Sequence, residues 1–142
     1  MSEGRVVKIL LVEDDEIDVE SVRRSFERNR IANTIYVAKD GVEGLEMLRG
    51  TGAQRLDRPL IILLDINMPR MNGLEFLREV RADKELRDLV VFVLTTSSNE
   101  NDIFEAYNLN VAGYMLKTEV GNGFAEAIRL IDHYWRVVEL RN

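Results

Sequence analysis

The chain alternates short apolar runs with longer stretches in which apolar residues recur every three or four positions. Ile9 to Val12, Leu60 to Leu64 and Leu89 to Leu94 are unbroken apolar runs of four to six residues. Runs this short, and this rich in Val, Ile and Leu, read as strands buried on both faces, as a parallel sheet requires. Thr34 to Ala38 and Val111 to Leu116 are two weaker strand candidates. Between these runs the spacing turns helical. Val19, Val22 and Phe26 fall at i, i+3 and i+7; Leu74 and Leu77 pair at i+3, while Phe76 with Val80 and Ile103 with Tyr107 pair at i+4. A β-α unit repeated five times predicts a flavodoxin-like, doubly wound α/β fold. It would have five parallel strands in the order 2-1-3-4-5 and five helices.

Punctuation agrees with this count. Asp40-Gly41 marks a turn before a helix from Val42 to Arg49, which Gly50 or Gly52 stops. Asn99 is placed to cap a helix from Glu100 to Leu109, and Asp15 to cap the first helix. Residues 50–59 are the least patterned segment and read as a spacer or partner contact. On the last helix, Phe124, Ile128, Ile131, Trp135 and Val138 form a stripe expected to bury against the sheet. Ala127, Leu130, Tyr134 and Val137 form a second stripe, either a contact surface or part of a wide face covered by the fourth helix.

Composition narrows the chemistry. A length of 142 residues fits a single domain, 1–142, with no linker toward an output domain. A net charge of −6 argues against nucleic acid or anionic membrane as a partner. Cysteine is absent, and His133, the single histidine, shares a polar stripe with Glu126, Arg129 and Arg136. Thiolate sites therefore lack their residue, a single histidine without cysteine argues against zinc, and no motif supports Ser-His-Asp catalysis. Neither a signal peptide nor an apolar run near the ~20 residues of a membrane span is visible, so a cytoplasmic location is expected. No P-loop or Gly-x-Gly-x-x-Gly run supports nucleotide chemistry.

Polar residues collect where the strands end. Glu13-Asp14-Asp15 follows the first strand, Asp65 the third, Thr95-Thr96 the fourth and Lys117 the fifth. A parallel sheet brings these ends to one edge, and in the order 2-1-3-4-5 the first and third strands are neighbours. Glu13, Asp14 and Asp65 then share an acidic pocket. Packed carboxylates either rise in pKa or gather around a cation. An all-oxygen site of this kind suits Mg²⁺ beside a phosphate. A carboxylate nucleophile with a hydroxyl and an ammonium opposite it is the set that phosphoryl transfer needs.

These pieces resemble the receiver domains of response regulators. The resemblance rests on Leu11-Val12-Glu13-Asp14-Asp15, Leu64-Asp65-Ile66-Asn67-Met68-Pro69, Met71-Asn72-Gly73, Leu94-Thr95 and Gly113-Tyr114-Met115-Leu116-Lys117, in order along nearly the whole chain. Leu94-Thr95-Thr96-Ser97-Ser98 and Asp102-Ile103 with Tyr107-Asn108-Leu109 look further like the stand-alone regulators paired with bacterial phytochromes. The resemblance implies that Asp65 accepts phosphate from a sensor histidine kinase. It implies Mg²⁺ held by Asp14, Asp65, the carbonyl of Asn67 and, directly or through water, Glu13. Thr95 and Lys117 would contact the phosphoryl oxygens. Tyr114 would turn inward when Thr95 shifts, and Asn67 and Ser97 would tune dephosphorylation. It also implies a homodimer through helix 4, strand 5 and helix 5. Such a protein is a switch that catalyses only its own phosphorylation and dephosphorylation.

Two other classes compete with the switch. A phosphatase of the haloacid dehalogenase type uses a strand-end Asp with Mg²⁺, but carries a second Asp where this chain has Asn67. A binding module that no longer needs phosphorylation would have no use for an intact acidic cluster. One departure from the family stands out: Thr118 replaces the usual Pro after the Lys. A cis bond before a residue other than Pro costs ~2.5–4 kcal/mol, so Lys117–Thr118 is predicted trans.

Overall fold

Each strong apolar run is a strand in the computed structural model, which describes residues 6–119, 124–138 and 140. Strands β1 (Lys8–Val12), β2 (Ile35–Ala38), β3 (Leu60–Leu64), β4 (Val90–Thr95) and β5 (Gly113–Leu116) form one parallel sheet, ordered β2-β1-β3-β4-β5. Helices α1 (Glu16–Arg28), α2 (Gly41–Arg49), α3 (Gly73–Ala82), α4 (Glu100–Asn108) and α5 (Ala125–Val137) connect and cover it. The expected fold and strand order are the observed ones.

Two-residue alternation along each strand divides the core into two layers. Leu10, Val12, Ile62, Leu64, Val91 and Val93 pack under α2, α3 and α4. Ile9, Leu11, Ile61, Leu63, Phe92 and Leu94 pack against α1 and α5. The three central strands are buried on both faces, whereas β2 and β5, at the edges, are half-buried.

Boundaries shift by a residue or two, for local reasons. Asp40 accepts from the Glu43 N–H, so α2 starts at Gly41 rather than Val42. Leu89 donates to Leu86 in the preceding turn and stays outside β4, while Thr95 joins it by pairing with Leu116. Val111 donates to Ala106 and closes the end of α4, leaving β5 to begin at Gly113. The caps Asp15 and Asn99 are as read, each accepting two backbone N–H bonds.

On α5, Phe124, Ile128 and Ile131 are buried, and Trp135 lies tilted 6.4 Å from Phe26. Val138, at the end of that stripe, is 37% exposed. The second stripe splits. Ala127 is core and Tyr134 meets Phe92 edge to face at 5.1 Å, but Leu130 and Val137 are exposed. Because α4 packs on the opposite layer, it does not cover them. The spacer is anchored through Leu56, which is buried and donates to Met47. Arg58–Pro59 is the cis peptide bond among the described residues, and Lys117–Thr118 is trans, as predicted.

Candidate functional site

Strand register carries the chemistry to one place. Val12 pairs with Leu64, and the Asp65 N–H donates to the Val12 carbonyl at 3.0 Å. Glu13 and Asp65 therefore leave neighbouring strands at the same level. Thr95 pairs with Leu116 on the far side, and the Lys117 N–H donates to the Thr95 carbonyl at 2.8 Å. Four chain segments thus converge over the carboxyl edge of β1, β3, β4 and β5.

Glu13, Asp14 and Asp65 each present a carboxylate oxygen within 4.8 Å of the others. Glu13 and Asp65 are buried, and Asp14 is exposed. Hard oxygen donors at this spacing, open on one side, suit a divalent cation that retains several waters. The fit rests on the donor set itself. Three carboxylates gather where one lysine cannot neutralise them all.

Opposite them, the Thr95 hydroxyl is fully buried and donates to Asp65 Oδ1 at 2.6 Å. Lys117 Nζ lies 3.8 Å from Asp65 Oδ2, and it donates to Glu13 Oε1 at 2.7 Å and Asp18 Oδ2 at 2.6 Å. Burial raises Glu13 to about 7; the Lys117 hydrogen bond pulls the other way, and the charge of Asp65 adds to the rise. For Lys117, burial alone would depress the ammonium. Hydrogen bonds to Asp18 and Glu13 outweigh it and raise the group above the ordinary lysine range.

The loop that follows Asp65 is tied down at several points. Gly73 donates to the Ile66 carbonyl at 2.8 Å, and a Cβ at Gly73 would stand 2.3 Å from the Asp65 carbonyl oxygen. Asn72 and Glu75 form a reciprocal capping box at the start of α3. Arg70 forks onto both oxygens of Asp40 at 2.7 and 3.2 Å, and Gly41 donates to the Met71 carbonyl. Asn67 sits exposed in this loop, two residues beyond Asp65.

Ser97 is a junction. Its N–H donates to Thr95 Oγ1 at 3.3 Å, its carbonyl accepts the Tyr114 hydroxyl at 2.8 Å, and its own hydroxyl donates to Asp102 of α4 at 2.7 Å. Tyr114 is half-buried against the α2–α3–α4 layer, and burial, with Asp102 and Asp65 nearby, raises its phenol. The hydroxyl of Ser97 is thus engaged with α4. Each residue of the site expected from the sequence, Glu13, Asp14, Asp65, Asn67, Thr95, Ser97, Tyr114 and Lys117, lies at this edge or in its loops. Asp18 was missed, because an acid in the first turn of α1 reads as a response to the helix dipole.

The profile of the response regulator receiver domain matches residues 9–129. The chain belongs to this family. The receiver domain is 33% identical to the response regulator Rcp1 of Synechocystis sp. over 128 residues, covering 89% of this chain and 87% of that protein. Its fold matches the phosphorylated cyanobacterial phytochrome response regulator RcpA with a TM-score of 0.87 at 32% identity, covering 97% of this chain and all of the other. The Mn²⁺-bound form of Rcp1 matches at a TM-score of 0.85 and 32% identity, covering 96% of the receiver domain and 99% of that chain. The likeness to phytochrome regulators read from the β4–α4 region is therefore upheld. Among the described residues, no helix is long and apolar enough to cross a membrane.

Proposed function

We propose that this receiver domain takes a phosphoryl group on Asp65 from a phosphohistidine of a sensor kinase and thereby switches its protein contacts. The observation that carries this reading is the buried Asp65 carboxylate, with the Thr95 hydroxyl on one oxygen and Lys117 facing the other. Asp65 forms the new O–P bond as the N–P bond of the phosphohistidine breaks and the imidazole leaves. Thr95 Oγ1 then turns its proton from Asp65 to a phosphoryl oxygen, and Lys117 brings a positive charge to another. Asp14, Asp65, the Asn67 carbonyl and Glu13, directly or through water, are the groups that would hold Mg²⁺. When bound, the cation supplies neutralising charge to the phosphoryl oxygens.

Movement of Thr95 toward phosphate would pull on Ser97, and through it on Tyr114 and α4. Asn67 and Ser97 are the positions that would set how fast water removes the phosphate. A phytochrome-type kinase is the partner class, supported by the likeness to RcpA and Rcp1, and the cytoplasm the compartment. Phe104 and Tyr107 on α4, with Leu130 and Val137 on α5, expose apolar surface either side of β5 and support a homodimer there.

Incubation with Mg²⁺ and acetyl phosphate tests the central claim. Intact-mass analysis should show one phosphoryl adduct, abolished in Asp65→Asn and when EDTA replaces Mg²⁺. Equal modification of the Asn variant would refute it.

A further inference from the structure

We propose that Asp18 is the positioning residue for Lys117 during phosphoryl transfer, a role that rests on the phosphoacceptor reading of Asp65. The Lys117 side chain is only 7% exposed, yet its ammonium is 2.6 Å from Asp18 and 2.7 Å from Glu13, against 3.8 Å from Asp65. The backbone beyond it lacks the Pro usual in the family, since Thr118 stands there. Placement of this long, flexible side chain therefore falls to the carboxylates that grip its end.

The two carboxylates are not equivalent. Glu13 belongs to the oxygen group within 4.8 Å that suits a divalent cation, and Asp18 is not among its members. A cation there draws on Glu13 and repels the ammonium beside it, because like charges in a partly buried pocket interact strongly. Asp18 has no such competing demand. Its backbone N–H donates to Asp15 Oδ1 at 3.3 Å, so the start of α1 fixes where its carboxylate stands. Asp18 thus keeps Lys117 at the pocket when the acidic group is filled. An acid serving only the helix dipole would leave Lys117 untouched.

The test uses the full chain with Asp18→Asn, checked by thermal unfolding. Two measurements are made in saturating Mg²⁺: the rate of Asp65 labelling by acetyl phosphate, and the ¹⁵N-ammonium NMR signal of Lys117. Losing one charge-assisted hydrogen bond should slow labelling about tenfold. The same change in a Lys117→Met background should alter the rate by less than about twofold, as expected when one residue acts through the other. The ammonium signal should persist in the wild type and disappear by solvent exchange in Asp18→Asn. Wild-type labelling by Asp18→Asn, an equal drop in both backgrounds, or an ammonium signal that survives the substitution would overturn the assignment. A wild type that takes no label instead fails the phosphoacceptor reading, and the ammonium signal then decides the role of Asp18 alone.

Discussion

Burial lifts Glu13 from 4.5 to about 7 although Lys117 donates to it at 2.7 Å. Between about pH 4.5 and 7 the folded chain therefore holds a proton there that the unfolded chain has released. Stability falls with rising pH wherever the folded state binds more protons, so this contribution is full below 4.5 and lost through 7. Glu13→Gln, which cannot ionise, should gain stability relative to wild type as pH rises through that window in EDTA. Urea unfolding of both proteins at pH 5 and pH 8 checks this; a difference independent of pH would contradict it. Gly73 makes a steric case of the same kind. An Ala there would drive its Cβ into the Asp65 carbonyl and the Ile66 Cα, both backbone atoms. Gly73→Ala should cost at least about 2 kcal/mol by denaturant unfolding, in the range of overpacking and backbone-strain substitutions. At this scale Asp65 was legible because a carboxylate ending a five-residue apolar strand needs a use. Asp18 was not, because its contact with Lys117 spans 99 positions and leaves no local pattern.

Arg81 shows how elements are fastened at the edge opposite the site. From the last turn of α3 it donates to the carbonyls of Leu109, Arg87, Leu89 and Asn110, joining the end of α4 to the entry of β4. Lysine cannot reproduce that planar fork. Arg81→Lys should therefore lose about 1–3 kcal/mol, most of the effect of Arg81→Met, by urea unfolding. No sequence rule points to Arg81, since its four acceptors are backbone atoms of loops. Helix starts were legible, because Asp15 and Asn99 carry their chemistry in the cap itself. Strand ends were less so: Val111 is apolar enough for β5, yet its N–H is committed to α4.

At the scale of the molecule, the strand order could be read because three runs buried on both faces must be flanked by helices on each side. Only β2 and β5 were weak enough in pattern to lie at the edges, where they are found. What the last helix does with its second stripe was open, since periodicity reports which residues share a face and not what covers it. Leu130 and Val137 are left exposed. Sedimentation with a phosphoryl analogue should detect dimers that weaken at least about tenfold in Leu130→Glu, as expected for a buried charge without a partner. Monomers alone at high concentration would remove the dimer.

Trp135, the one tryptophan, packs against Phe26 in the layer shared by α1 and α5. It sits near the carboxyl end of α5, whereas the acidic pocket lies where that helix begins. The protein's intrinsic fluorescence is therefore an optical gauge of how well the α1–α5 layer is seated, and filling the pocket should leave it nearly dark to observation.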